Sequence, residues 1–536
     1  MLSLTISTYR GSNILRGTVV FGNIIKLLNG KIGINFGKLF IKNLLIQMRN
    51  YNQLIKKAKL YFLQNQFELA QKLIIDILKE FELKSTQTSN LQLLLGEINV
   101  KLNNFKKANE YYFEYLKNNK NNPQICNQIA NNYLKLKEYK KSEQYYLKAI
   151  SLDKNYETGI INLAVLYDNL GKKKEALNFY EKAFNKNQKN LSILYNMYKL
   201  KKNFLNSKTI NVVKNYIAAN NHNYFDVAAG YYLLSENDYL NNNTEKELFH
   251  LEKANHFSFL SNEKINKQAL NYWLNIIPKK YDKFSFNKSY EKENFYPIFI
   301  VGLPRSGSTL MENIISSGKE KITSYGETNL VNWSLLNTHR NNLFDQDEKI
   351  SLNVDIIQNK LLKFFSNQTI KENKKKIYFL DKSLENFYYI DLILKIFPNA
   401  KFIHTYRNLN DNIFAIFKEF LSKISWSHSL ENIIFYVNNY LNTIEFFKKK
   451  FPEKILSISL EQLTLFPEDI SKKVYQFCDI EWDASCLNFS TQKELFSSTA
   501  SNQQIRSGIQ KYNNDKYKKY YYLLDNYKTK YSWIKY

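Results

Sequence analysis

A chain of 536 residues with 44% hydrophobic and 15% aromatic content holds enough apolar side chain for two or three cored domains, which excludes wholesale disorder. Its formal net charge of +27 invites a nucleic-acid reading. Only seven of the 76 basic residues are arginine, and they form no basic block or arginine–aromatic motif, so the excess reads as a solvated lysine surface and nucleic acid is not an expected partner. Cys126, Cys478 and Cys486 are odd in number and contain no Cys-x-x-Cys pair, which fits a reducing, cytoplasmic setting.

Residues 1–47 are basic and unusually rich in glycine, and the first acidic residue is Glu68. The apolar stretches here are broken by Arg10, Arg16 and Lys26, so neither a secretory core nor a membrane span is expected. The segment reads as an N-terminal extension, or a start set too early, ahead of a repeat domain that begins near Met48.

From residue 51 to 190 the sequence repeats every thirty-four residues. Gly96, Ala130 and Ala164 fall in register, as do Tyr112, Tyr146 and Tyr180, and Ala108, Ser142 and Ala176. Small residues at fixed columns let antiparallel helices approach closely while aromatics fill between the pairs, the packing of tetratricopeptide repeats. An earlier copy with Phe67 and Ala70 is offset by four residues, consistent with a longer loop around Lys84 to Ser89. Two roles stay open for the array: binding a protein or peptide, or serving as a rigid platform. Residues 191–280 continue the helical pattern in weaker register and read as degenerate or capping helices, and 281–295 as a polar linker.

Beyond residue 296 strands alternate with helices, implying α/β architecture around a parallel sheet. Ile298 to Val301 is a buried strand, Gly302 to Thr309 a tight turn, and Ser308 or Thr309 opens a helix through Ile315. Such a turn gathers backbone N–H groups at the positive end of a helix dipole and so favours an anion. The spacing Gly302-x4-Gly307 matches a nucleotide-triphosphate loop, but Ser308 stands where that motif needs Lys. Later strands end at Asp381 and before Arg407, a third covers Lys454 to Ser459, and helices are expected from Lys382 to Phe397 and from Asp411 to Ser422. Arg305, Lys382 and Arg407 each follow a strand, which gathers three cations at one sheet edge. A glycine-bearing turn with an exposed Arg is the plain alternative for the loop alone.

Together these motifs resemble the sulfotransferases that use PAPS (3'-phosphoadenosine 5'-phosphosulfate), in particular bacterial proteins with tetratricopeptide repeats ahead of the catalytic domain and the tyrosylprotein sulfotransferases. The resemblance covers roughly residues 51–190 and 296–515. It implies that Arg305, Ser306, Gly307, Ser308 and Thr309 hold the 5'-phosphosulfate, that Lys382 stabilises the leaving group, and that Arg407 binds the 3'-phosphate with Lys511 as a second cation. Ser498 to Arg506, with Ile509 to Tyr512, resembles the closing cofactor loop. Glu327, in Tyr325-Gly-Glu-Thr-Asn329, falls where this branch carries its catalytic carboxylate. His404 is a rival base but reads as a packed core histidine, and His339 and His428 have no evident partners. Three departures stand out: Ala415 in place of a serine, Leu384 in place of a proline, and Leu460 before Glu461 in place of a tyrosine.

The expected organisation is therefore an N-terminal extension (1–47), repeats (48–190), capping helices (191–280), a linker (281–295) and a P-loop sulfotransferase domain (296–536). The expected activity is metal-free sulfuryl transfer from PAPS to a hydroxyl on a peptide, sugar or small molecule. A repeat scaffold with a weakened or dead catalytic domain, and a P-loop nucleotide kinase, are the alternatives.

Overall fold

The computed structural model describes residues 50–219, 223–286, 294–320, 322–344, 350–369, 376–491, 495–497, 499 and 501–536. The expected extension at 1–47 lies outside them. Two compact units divide the chain, one ending at Lys154 and one running from Asn155.

The first unit is a run of helical hairpins, with Ser85–Lys101 against Phe105–Asn118 and Pro123–Lys135 against Tyr139–Leu152. The small-residue columns set how near the helices come. At Gly96 an added Cβ would lie 2.2 Å from the Tyr112 ring, so only glycine fits there. Ser142 Oγ donates to the Ala130 carbonyl at 2.9 Å, spending the hydroxyl inside the buried seam. The hairpins turn on left-handed residues, Asn65 (φ 60°), Asn103 (57°) and Lys137 (60°), and the series continues at Gly171 (74°) in the second unit. The last three are thirty-four residues apart and the first is four further away, which matches the expected period and offset.

The second unit opens with the hairpin Glu157–Asn169 and Lys173–Lys186, which buries Ala164, Ala176 and Tyr180. Its sheet has five parallel strands in the order β3-β5-β2-β6-β7, where β2 is Phe295–Gly302, β3 Thr323–Ser324, β5 Ile377–Asp381, β6 Lys401–Tyr406 and β7 Ile455–Ser459. Central strand β2 is covered on both faces, which is why its sequence is an unbroken apolar run. Ile298 and Ile300 pack with Met311, Ile314 and Val474 on one face. Phe299 and Val301 pack with Phe402 and Val437 on the other, in a core that also takes Tyr232 and Leu251 from the helices Tyr224–Leu240 and Thr244–Leu260.

Three expectations need correction. Within the expected linker, Phe284–Phe286 forms a short strand, β1, paired in parallel with β4 (Ile350–Leu352), because Phe284 is drawn into the core; residues 287–293 lie outside the described set. The helix expected over 411–422 is Leu409–Phe417: the Asn408 side chain accepts from the Asp411 N–H, and beyond Phe417 the chain turns so that Phe420 stacks on Tyr232, ring centroids 4.7 Å apart. After Lys382 the chain runs as a 3-10 turn, Leu384–Tyr389, before the helix Ile390–Ile396. Asp381 holds that tighter turn by accepting from the Ser383 N–H at 2.9 Å and from Asn386 Nδ2 at 3.0 Å.

Candidate active site

All five strands are parallel, so their carboxyl ends lie along one edge, and each delivers a residue that the sequence had marked. Strand β2 leads into the loop 303–307 and the helix Ser308–Ser316. Gly302 (φ 146°) passes so close to β6 that a Cβ would meet the Thr405 carbonyl at 2.3 Å, and Gly307 (φ 90°) supplies the left-handed N-cap. Arg305 is left-handed without being glycine, at φ 66°. Such a conformation persists only where neighbours hold it. Asn412 Nδ2 donates to the Pro304 carbonyl (2.7 Å), Arg407 Nη1 donates to the Arg305 carbonyl (3.1 Å), and the Ser306 and Thr405 hydroxyls bond at 2.8 Å. With those two carbonyls engaged on one side, the trans peptide turns the N–H groups of Arg305 and Ser306 to the other. The first-turn N–H groups of the helix have no intrahelical acceptor. The backbone of such a turn, at Ser306, Gly307, Ser308 and Thr309, is suited to an anion.

The Arg305 guanidinium does not stand free in that turn. Nη1 donates to Ser501 Oγ at 2.7 Å, Nη2 donates to Gln504 Oε1 at 3.3 Å, and the Glu419 carboxylate lies 3.6 Å away. Arg305 therefore tethers the loop to the C-terminal segment, where Thr309 Oγ1 also donates to Thr499 Oγ1 at 3.2 Å.

After β6, Arg407 is 8% exposed, its guanidinium carbon 4.9 Å from the centre of the Tyr512 ring and 5.5 Å from that of Tyr517. Asp411 lies 3.9 Å from Nη2. Arg407 Nε has no hydrogen-bond partner among the described residues. A buried guanidinium donor is costly to leave unmet, so this site suits an anion. Lys511, beside Tyr512, is exposed, and Ser498 lies outside the described residues. Ala415 is 3% exposed within the apolar core and offers no hydroxyl, while Leu460 packs on Gly307. A cavity of about 560 Å³ opens beside Asn408 and Asp411, walled by Tyr521, Tyr522 and Tyr536.

After β5, Lys382 is 1% exposed and donates to Glu327 Oε1 at 2.5 Å, with Glu312 Oε2 at 3.7 Å. Burial is the largest influence on this ammonium and favours its neutral form, but Glu327 and Glu312 outweigh it and raise its pKa above the ordinary lysine value. Asp381 brackets the two sides of the site: besides holding the turn after Lys382 it accepts from the Thr328 hydroxyl, next to Glu327, and burial raises its own pKa. Glu327 itself is 52% exposed. Glu385, close by in the 3-10 turn, is pushed up to about 7 chiefly by burial, with the Glu327 charge adding to it.

Pattern reading missed Glu312, Glu385 and Glu419. Glu312 was within reach, because it sits three and four residues after Thr309 and Ser308 and thus on their face of the helix. His404 is the packed histidine that was expected: Nδ1 meets Ser457 Oγ at 2.9 Å, Nε2 meets the Tyr440 hydroxyl, and burial lowers its pKa to about 3. His339 and His428 do have partners, the Asn353 N–H (3.1 Å) and Ser258 Oγ (3.0 Å). Arg506, at the end of the segment that resembles the closing cofactor loop, donates through Nη2 to the Asn169 and Leu495 carbonyls, because the helix end at Asn169 needs a donor. The three cysteines are buried free thiols, no described helix is long and apolar enough to cross a membrane, and among the described residues no group of three or more His, Cys, Asp or Glu is placed to hold a metal.

Comparison with known proteins adds the family. Residues 297–484 match the profile of the Sulfotransferase family, and residues 123–156 and 159–190 match the Tetratricopeptide repeat. An uncharacterized protein of Aquifex aeolicus (strain VF5) is 28% identical over 235 residues; the match covers 42% of this chain and 30% of that relative, so the chain spans under a third of the relative's length. Among solved structures, the sulfotransferase domain from the Synechococcus PCC 7002 olefin synthase is 17% identical with a TM-score of 0.29, covering 43% of this chain and 90% of that one. The Pseudomonas aeruginosa pilF structure is 16% identical with a TM-score of 0.30, covering 41% and 97%.

Proposed function

The chain carries tetratricopeptide repeats ahead of a sulfotransferase-family domain, and we propose that this domain transfers a sulfuryl group from PAPS to a hydroxyl acceptor by in-line displacement, while the repeats bind a protein partner or support the domain. One observation supports the reading: the anion-binding turn is tied, through the Arg305 carbonyl, to the buried guanidinium of Arg407, whose Nε is unmet among the described residues. PAPS differs from ADP-like nucleotides in its 3'-phosphate, which requires a second anion site beside the loop. In this reading Arg407 supplies that site, with Lys511 as a second cation one residue before Tyr512, whose ring the guanidinium faces at 4.9 Å.

The donor brings an activated sulfuryl group; the chain positions it and handles charge. Backbone N–H groups of Ser306 to Thr309 hold the 5' end, and Arg305 steadies the loop from outside. Lys382, kept cationic by Glu327 and Glu312, neutralises charge that builds on the leaving oxygen. Glu327, reachable from solvent, takes the proton of the acceptor hydroxyl. Three buried thiols without a disulfide fit a cytoplasmic protein.

Ala415 and Leu460 favour a second reading, a scaffold whose C-terminal domain binds the donor without turning it over. Calorimetric titration with PAPS, its desulfated product PAP (adenosine 3',5'-bisphosphate) and ATP, paired with label transfer from PAPS in a cell lysate, separates the possibilities. Binding of PAPS and PAP with transfer supports the enzyme; binding without transfer supports the scaffold; preference for ATP overturns both.

A further inference from the structure

We propose that the turn Asp168–Gly171 of the last tetratricopeptide repeat is a working part of the donor site, positioning the anion-binding loop through Ser501, Asn502, Gln503, Gln504 and Arg506. The proposal rests on the donor reading above.

On the repeat side, Asp168 Oδ1 accepts from Asn502 Nδ2 and from Gln503 Nε2, each at 3.0 Å, and the Asp168 carbonyl accepts from Asn502 Nδ2 at 3.0 Å. Arg506 Nη2 donates to the Asn169 carbonyl at 2.6 Å while its Nε donates to Asn502 Oδ1 at 3.1 Å. The Ser497 N–H adds a bond to the Asn169 carbonyl at 3.0 Å. The Arg506 guanidinium lies flush on Gly171, where a Cβ would come within 2.4 Å of Nη1. On the loop side, Ser501 and Gln504 accept from Arg305 and Thr499 meets Thr309. Neighbours along one short helical turn therefore face opposite ways: Asn502 and Gln503 grip the repeat, and Ser501 and Gln504 grip the loop.

The loop needs such a grip, because Arg305 is a left-handed, non-glycine residue whose peptide orientation aims the anion-binding N–H groups. Its carbonyl is held by Arg407 and its guanidinium by Ser501 and Gln504. Slackening the grip on Asn502 and Gln503 frees the side-chain half of that hold. Asp168 is thus a positioning residue for the donor, acting at a distance through hydrogen bonds, and any ligand that shifts this repeat turn shifts donor affinity with it.

The test uses the full chain and PAP as the probe. Asp168→Ala removes the side-chain acceptor that Asn502 and Gln503 share, leaving only the main-chain bond to Asn502, and should weaken PAP by about tenfold, the scale of one or two lost hydrogen bonds. Asp168→Asn keeps an acceptor oxygen at Oδ1 and should restore affinity to within about threefold of wild type. In the unmodified protein, saturating PAP should slow hydrogen exchange at the Gly171 and Lys172 amides, a readout that needs no variant to fold. Wild-type affinity in Asp168→Ala, or unchanged exchange at Gly171 and Lys172 with PAP bound, overturns the coupling and leaves the donor reading standing. A wild-type chain that binds neither PAPS nor PAP overturns the donor reading and this proposal with it.

Discussion

Glu327→Gln separates proton transfer from charge pairing, because the amide keeps the shape of the side chain but can neither take a proton nor carry a charge. Its carboxylate lies 2.5 Å from the Lys382 ammonium, which is 1% exposed. Stripping a buried charge of its only partner costs about 3–5 kcal/mol. Here the lost partner is half in water and Glu312 remains at 3.7 Å, so the expected loss of stability is nearer that of an exposed pair, about 1 kcal/mol. Removing a general base costs about a hundred- to ten-thousand-fold in rate, or about 3–5 kcal/mol of barrier. Glu312→Gln is the control, since it also takes a carboxylate from Lys382 but is not assigned to the acceptor. Single-turnover transfer from labelled PAPS to a confirmed acceptor reads the rate, PAP calorimetry reads binding, and urea unfolding reads stability. Glu327→Gln should lose turnover by the stated factor with PAP affinity within about threefold, and Glu312→Gln should stay within about tenfold of wild-type turnover. Near-normal turnover in Glu327→Gln would refute the proton-transfer role. Equal losses in the two variants would show that both carboxylates act only through Lys382.

Arg407→Ala should weaken PAP by about 2 kcal/mol or more, the scale of a lost charge-assisted contact, measured by calorimetry. Adenosine 5'-phosphosulfate, which lacks the 3'-phosphate, should lose under about 1 kcal/mol, the share owed to the Arg305 carbonyl that Arg407 also holds; equal losses for the two ligands would count against the 3'-phosphate assignment. The pH dependence of stability should carry a signature of Glu385. Its folded pKa, about 7, exceeds its ordinary value of 4.5, so the native state holds the proton more tightly and this contribution, full below pH 4.5, is lost as pH rises through 7. Glu385→Gln suffers no such loss and should gain up to about 3 kcal/mol on wild type between pH 4 and pH 8 in urea unfolding, whereas a constant difference would contradict the burial of that carboxyl.

What the sequence made legible was whatever depends on period and on strand ends. The thirty-four-residue columns located the buried Gly96, Ala130 and Tyr146, and the apolar run Ile298–Val301 located the central strand, because burial on both faces leaves a continuous apolar signature. Arg305, Lys382 and Arg407 could be placed at one edge because a parallel sheet puts every strand's carboxyl end there. Pairing was not legible. Glu312 and Glu327 converge on Lys382 from the helix after β2 and the loop after β3, and Glu419 reaches Arg305 from beyond the Leu409–Phe417 helix. No linear spacing encodes meetings between elements so far apart in the chain. Exposure was likewise hidden: Glu327 is half in solvent and Glu385 is the desolvated acid, although both are single carboxylates in a polar context.

Arg506 shows how the repeat and the segment 495–506 constrain each other, and it yields a test on stability alone. Asn103, Lys137 and Gly171 occupy equivalent left-handed turns, so the turn itself accepts side chains other than glycine. Glycine at 171 is instead required by the guanidinium of Arg506, which leaves no room for a Cβ. Lys137→Gly should therefore stabilise by up to about 1 kcal/mol, by relieving a left-handed side chain. Gly171→Asn should destabilise by about 1–3 kcal/mol, the range for overpacking, because asparagine tolerates the turn but displaces Arg506 from the Asn169 carbonyl. With Arg506→Ala already in place, the same Gly171→Asn change should cost less than about 0.5 kcal/mol, since nothing remains to displace. A cycle in which the two changes simply add would mean that strain at φ 74°, and not the arginine, selects glycine at this turn.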